Sequence, residues 1–268
     1  MSSILLDEPL EGVRRITLNR PAQLNAFTFD MYVEYQDVLR ALKHDSKARV
    51  VILTGAGKGF CAGHDLLAGG KPQWIDDPDM GRMYYGRHAL AEINALPLLM
   101  RQLPQPIICA VNGAAAGAGF ALALAADLCI AARSAKFVNA FHNAASGHEI
   151  GFSYMLPRAI GTQRAAEILL SARPVLAEEA ERIGLVLRAV PDEELMTSAL
   201  ELAGNIARNV PLGVWLTKQS LWANQSVGSL ETAIEMESRA VQIAQATEDA
   251  AEKRKSFLEK RAPKFTNR

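Results

Sequence analysis

Cysteine is scarce in this sequence. The three residues, Cys61, Cys109 and Cys129, are an odd number without metal-site spacing. That excludes a disulfide scaffold and points to a reducing, cytoplasmic setting. Neither sign of charge is in excess, with 29 basic residues against 29 acidic ones, so the electrostatic footprint of a nucleic-acid binder is missing. Long hydrophobic runs are missing too. The most apolar stretch, residues 114–132, is mostly Ala and Gly and contains Asp127, which suits a buried helix and strand rather than a membrane span. Residues 1–9 carry Asp7 and Glu8 and no basic flank, unlike a signal peptide. What remains is ordinary globular composition over 268 residues, enough for one large domain or one with a small appendage.

The first two thirds alternate strand and helix patterns. Residues 13–18 alternate apolar and polar side chains, and residues 50–53, 106–111 and 128–131 are short continuous apolar runs of the kind found in buried parallel strands. Helical periods occupy residues 29–42, 83–103 and 118–126 between them. The order predicts a mostly parallel α/β sheet with crossovers. The last third is helical by period over 162–170, 177–182, 195–208, 211–222 and 230–257, with 185–190 the main strand candidate. An α/β core over 1–200 and a helical region over 201–268 are therefore expected. The polar, Gly- and Pro-rich residues 69–79 read as a mobile loop.

Several familiar motifs are absent. Gly55-Ala56-Gly57-Lys58-Gly59 follows a strand but lacks the Ser or Thr of a phosphate loop and the spacing of a dinucleotide fingerprint. His148-Glu149 begins like a zinc-protease helix, yet the fifth position is Phe152, so no metal site is expected. No Gly-x-Ser-x-Gly nucleophile elbow occurs.

Two small-residue turns stand out: Phe60-Cys61-Ala62-Gly63-His64-Asp65-Leu66 and Ala110-Val111-Asn112-Gly113, continued by Gly117-Ala118-Gly119. Each lies between a buried strand and a helix start. Two readings are open from spacing alone. Small residues allow tight helix–sheet packing, and they also let a substrate approach backbone N–H groups that converge as an oxyanion hole.

These turns, with Asn19-Arg20-Pro21, Leu24-Asn25-Ala26, Leu156-Pro157-Arg158-Ala159-Ile160-Gly161, Gly184-Leu185-Val186 and the tail from Phe257 to Phe265, resemble the crotonase superfamily, the enoyl-CoA hydratase/isomerase family. The resemblance runs in order along nearly the whole chain. It implies a spiral of stacked βαβ turns, a helical C-terminal region that makes trimers, often paired into hexamers, and an acyl-CoA substrate of fatty-acid metabolism. Coenzyme A then arrives as part of the substrate, with no separate cofactor. By carry-over, the backbone N–H groups of His64 and Ala118 hold the thioester oxygen, with Ala118 replacing the usual Gly. The His64 side chain has two placements open, against the acyl group or away from it. Leu24, Ala26, Ala62, Asp65 and Leu66 fall where the family lines its CoA channel, and Lys260 falls in the tail that reaches CoA from a neighbouring subunit.

The sequence departs from the family's hydratases at the chemistry. Those enzymes activate water with two glutamates, and here Ala121 and Phe141 occupy the two positions. Glu149 is the remaining acid, at the spacing where peroxisomal enoyl-CoA isomerases carry their catalytic glutamate. The resemblance therefore implies an isomerase using Glu149. An enoyl-CoA hydratase using Glu149 alone and a non-catalytic acyl-CoA binder are the alternatives.

Overall fold

The computed structural model describes residues 2–68, 72–77, 79–142 and 147–268. Gly69, Gly70, Lys71 and Pro78 of the expected loop lie outside the described residues.

Three successive chain segments each make a strand, bend, and make a second, shorter strand. The pairs are β3 (Val50–Gly55) and β4 (Gly59–Cys61), β5 (Ile107–Val111) and β6 (Ala114–Ala116), and β7 (Leu128–Ala132) and β8 (Lys136–Val138). The longer members join β1 (Ile4–Leu10), β2 (Val13–Leu18) and β10 (Arg188–Val190) in a six-stranded sheet of order β1-β2-β3-β5-β7-β10. The shorter members join β9 (Val175–Leu176) in a second sheet of order β4-β6-β8-β9. β1 on β2 and β9 on β8 are antiparallel, and the other pairings are parallel. This is the stacked βαβ spiral. The apolar runs at 50–53 and 107–111 are fully buried, as strands covered on both faces require.

The crossovers are helices. α1 (Phe29–Lys43) is capped by Thr28, whose hydroxyl accepts the Met31 N–H at 3.2 Å, and it buries Met31, Tyr32, Tyr35, Leu39 and Leu42 along one stripe. α2 (Arg82–Gln102) and α3 (Ala118–Ala125) follow β4 and β6. α3 packs against β4 so closely that a Cβ on Gly119 would stand 2.3 Å from the Cys61 carbonyl oxygen, so only glycine fits there. Asn112 staples neighbouring segments, accepting the Gly55 N–H at 3.1 Å and donating to Gly57 O at 2.9 Å.

Among the described residues seven further α-helices follow: α4 (Phe152–Ile160), α5 (Thr162–Ser171), α6 (Ala177–Arg182), α7 (Leu195–Ala207), α8 (Pro211–Ala223), α9 (Leu230–Gln245) and α10 (Glu248–Leu258). α7 spans residue 200 and packs on β2, β3, β5 and β7. The single helix expected over 230–257 is two, because Thr247 starts a new one by accepting the Ala250 N–H at 3.1 Å. The strand candidate at 185–190 shortens to Arg188–Val190. Lys218 of α8 is buried, with Nζ 2.8 Å from Asp127 and donating to the carbonyls of Met100 and Gln105. No described helix is long and apolar enough to cross a membrane.

Candidate active site

Residues 24–27 and 62–65 run side by side. Ala62 N–H donates to Leu24 O at 2.9 Å, Phe27 N–H to Gly63 O at 2.7 Å, and Asp65 N–H to Phe27 O at 2.9 Å. In this short parallel ladder the His64 N–H points to the other side. The loop bearing Leu24 is held by Asn25, fully buried, which accepts the Arg20 N–H at 2.8 Å and donates to Ala56 O and Gly59 O.

The second turn abuts the first. Gly63 (φ +99°) and Gly117 (φ +50°) face each other. A Cβ on Gly63 would lie 3.6 Å from the Ala118 nitrogen, and one on Gly117 would lie 3.9 Å from the Gly63 Cα. Both have left-handed backbone that glycine accepts at little cost. Ala118 opens α3, so its N–H is at the positive end of a helix. Among the described residues, neither the His64 N–H nor the Ala118 N–H donates a hydrogen bond within the protein. Two adjacent donors with no protein acceptor are what an oxyanion requires.

Glu149 precedes α4. Its carboxylate forms no hydrogen bond or ion pair among the described residues, and burial pushes its pKa above the ordinary glutamate value. The next residue, Ile150, has φ +58°, a conformation that a β-branched side chain adopts only when its surroundings impose it. Asn94 of α2 supplies the constraint by accepting the Ile150 N–H at 2.7 Å, and the Ile150 side chain is buried. Glu149 is near Tyr32. Burial raises the Tyr32 phenol well above its usual range, and the charges of Cys61 and Glu149 add to the rise. Tyr32 in turn stacks on the His64 ring, with centroids 5.9 Å apart and planes at 17°. Tyr32 thus stacks on the first donor turn and feels the charge of the candidate base.

The hydratase positions are apolar and dry: Ala121 is 0% exposed and Phe141 5%. An aromatic wall stands nearby. Phe29 lies 5.0 Å from the His64 ring and 5.8 Å from Trp74, centroid to centroid, and the Trp74 indole N–H donates to His88 O of α2 at 2.9 Å. The described part of the 69–79 segment is therefore tied to α2 and α1. Phe29, Tyr32, Trp74 and Asn94 carry no motif signal in the sequence, and Arg20 carries one only as part of Asn19-Arg20-Pro21. At i, i+3 spacing on an amphipathic helix, Phe29 and Tyr32 are indistinguishable from core residues.

Among the expected channel residues, Ala26 is buried, Ala62 is half-buried, and Leu24 is exposed and packs over Gly59. Leu66 is 69% exposed. The Asp65 carboxylate is engaged within the fold. It pairs with Arg20 at 2.9 Å and accepts the Leu67 and Ala68 N–H groups, and burial, which pushes its pKa up, is outweighed by these partners, which leave it lowered. Its side chain braces the donor turn. Lys260 is exposed at the end of α10, with no hydrogen bond or ion pair to the two turns of this chain. His142 and His148 have ring centroids 5.3 Å apart, but His142 Nε2 is 2.9 Å from Leu169 O and His148 Nε2 is 3.1 Å from Asn139 Nδ2. Among the described residues no cluster of three His, Cys, Asp or Glu side chains is arranged to hold a metal ion.

A family model described as enoyl-CoA hydratase/isomerase matches residues 8–268. The chain belongs to the enoyl-CoA hydratase/isomerase family. Two relatives show the breadth of names within it. A probable enoyl-CoA hydratase of Mycobacterium tuberculosis is 40% identical over 269 residues, covering 100% of this chain and 94% of that one. The 1,2-epoxyphenylacetyl-CoA isomerase of Escherichia coli is 37% identical over 272 residues, covering 100% of both. The crystal structure of an enoyl-CoA hydratase from Bacillus anthracis superposes with a TM-score of 0.91 at 37% identity, over 100% of both chains. The spiral core described above is thus that of the enoyl-CoA hydratase/isomerase family, and the protein is an enzyme of that family.

Proposed function

We propose that the protein shifts the double bond of an enoyl-CoA thioester, with Glu149 as its single acid–base group. The observation that carries this reading is the carboxylate of Glu149, without a hydrogen-bond or ion-pair partner among the described residues. Ala121 and Phe141 put no acid at the two positions where the resemblance places the hydratase glutamates, whereas a proton transfer between two carbons needs one group only. The His64 and Ala118 N–H groups hold the thioester oxygen as negative charge develops on it. Glu149 takes a proton from the carbon next to the thioester carbonyl of a 3-enoyl-CoA. The electron pair of that C–H bond moves onto the carbonyl oxygen, giving a dienolate conjugated with the double bond between the third and fourth carbons, and that double bond moves next to the carbonyl as the carbonyl re-forms. Glu149 then returns the proton to the fourth carbon, and the 2-enoyl-CoA forms. Each donor contributes roughly 3–4 kcal/mol to the transition state. The family names also favour a second reading, hydration by Glu149 alone. Turnover of a panel of 2-enoyl and 3-enoyl thioesters separates them. Isomerisation is expected to outpace water addition, and the reverse order hands the case to hydration.

The assembly is proposed to be a trimer or hexamer. Between α8, α9 and the start of β7 runs a groove of about 1060 Å³, lined by Leu128, Val210, Val214, Leu221 and Val241 among others. Leu221 and Val241 are about half exposed in the single chain. A second copy covering that face matches the association expected of these helices. Light scattering at micromolar concentration is expected to give three or six times the mass of one chain. A monomer overturns the assignment.

A further inference from the structure

We infer that the His64 side chain is a hydrogen-bond donor to the acyl group, so that the site favours acyl-CoA thioesters carrying an oxygen a few bonds beyond the carbonyl over their unoxygenated parents. This rests on the oxyanion reading of the His64 turn and adds a substrate class to it.

Three observations carry the inference. First, the imidazole is held in place, standing between Phe29 at 5.0 Å and Tyr32 at 5.9 Å, centroid to centroid. Second, its Nδ1 is buried and has no hydrogen-bond partner, while Nε2 is not among the buried, unpartnered nitrogens and has no protein partner among the described residues. Nε2 is therefore the accessible nitrogen of the ring, and the one a ligand oxygen can reach. Third, burial lowers the ring's pKa, against an opposing effect of Asp65, so the ring is neutral near pH 7 and carries one proton. Leaving a buried N–H without an acceptor is rarer in proteins than leaving an acceptor unpaired. The proton accordingly resides on Nε2, and Nε2–H is the donor. The Asp65 carboxylate does not compete for it, being paired with Arg20 and with the Leu67 and Ala68 N–H groups.

The same residue then contacts the substrate twice. Its backbone N–H faces the thioester oxygen and its ring faces the acyl chain a side chain's length away. The surrounding wall of Phe29, Tyr32 and Trp74 is apolar apart from the Tyr32 hydroxyl and the indole N–H, and the indole is already bonded to His88 O. A hydroxyl, carbonyl or ether oxygen fits Nε2–H. A plain hydrocarbon chain leaves that donor without a partner and loses affinity accordingly.

The test uses saturated acyl-CoA thioesters, which bind but cannot isomerise, so its failure is distinguishable from failure of the isomerase reading. Calorimetry compares hexanoyl-CoA with its counterparts bearing a hydroxyl at the fourth or fifth carbon, on the full-length protein. The wild type is expected to bind one hydroxylated thioester roughly tenfold more tightly than the parent, the size of one hydrogen bond in a desolvated site. His64→Phe keeps the aromatic stack and loses the donor, and its affinity ratio is expected to fall to about one. His64→Gln keeps a donor and is expected to retain part of the preference. Equal affinities of the wild type for all three thioesters overturn the assignment whatever the variants do. An undiminished preference in His64→Phe overturns it too, and absence of binding by any thioester overturns the site on which it rests.

Discussion

Glu149→Gln is expected to lower turnover roughly 10²–10⁴-fold, the usual worth of general acid–base catalysis, with little change in thioester affinity. Gln keeps the length and polarity of the side chain but cannot take a proton. The proposed oxyanion donors are backbone groups on two other turns, so binding is left to them. Because burial raises the Glu149 pKa, the base loses its proton at a higher pH than an exposed glutamate does. The acidic limb of the wild-type rate profile is thus expected to fall at a higher pH than a solvent-exposed glutamate gives. That limb is expected to vanish from the residual activity of Glu149→Gln. In heavy water, exchange of the Glu149 proton with solvent is expected to place deuterium on the fourth carbon of the 2-enoyl product, and on the carbon beside the thioester carbonyl when the dienolate returns to the 3-enoyl substrate. Full activity in Glu149→Gln removes Glu149 from the chemistry.

The second large effect is on stability. Lys218→Met is expected to cost about 3–5 kcal/mol, the usual penalty for removing one partner of a buried ion pair. Asp127 would keep the Ile107 N–H at 2.7 Å and the Trp222 indole N–H at 2.6 Å, but its buried charge would lose its countercharge. The carbonyls of Met100 and Gln105 would also lose a donor. For a chain of this size the fall in Tm is on the order of 10 °C. Adding Asp127→Asn, which removes the charge and keeps an acceptor oxygen, is expected to recover part of the loss. Thermal unfolding of the two variants measures both. Equal Tm values for wild type and Lys218→Met would mean that water or relaxation compensates the buried carboxylate.

The parts of the fold legible in the sequence are those with a period. The runs at 50–53 and 106–111 and the stripe of α1 show from the sequence which faces are buried. β4, β6 and β8, at three residues each, are too short to show alternation, so the second sheet is invisible until the chain is folded. The break between α9 and α10 is hidden for the opposite reason. The apolar period runs straight through it, and a single Thr hydroxyl decides the boundary. At the site, Glu149 and the two donor turns are found by motif, since each sits at a fixed spacing from neighbours in sequence. Arg20 with Asp65, Asn94 with Ile150, and Tyr32 with His64 are not found that way. Their partners lie tens of residues apart, and only the folded spiral makes them neighbours. Asp65 shows the limit plainly, because its position in the motif is informative and its charge is spent inside the protein.

The asymmetry of α2 bears on how this enzyme's acyl range can change over evolution. Its buried side chains, Ile93, Leu96, Pro97 and Met100, all belong to the second half of the helix, and the Lys218 bond to the Met100 carbonyl fastens that end. The first half, from Arg82 to Glu92, buries none, yet it carries the carbonyl that receives Trp74. Stability is therefore assigned to one end of the helix and the hold on Trp74 to the other. On the proposal that the acyl group lies beside the wall of Phe29, Tyr32 and Trp74, substitutions within Arg82–Glu92 alter that wall with little penalty to folding and leave the two donor turns and Glu149 as they are. Those eleven residues are where the fold tolerates change.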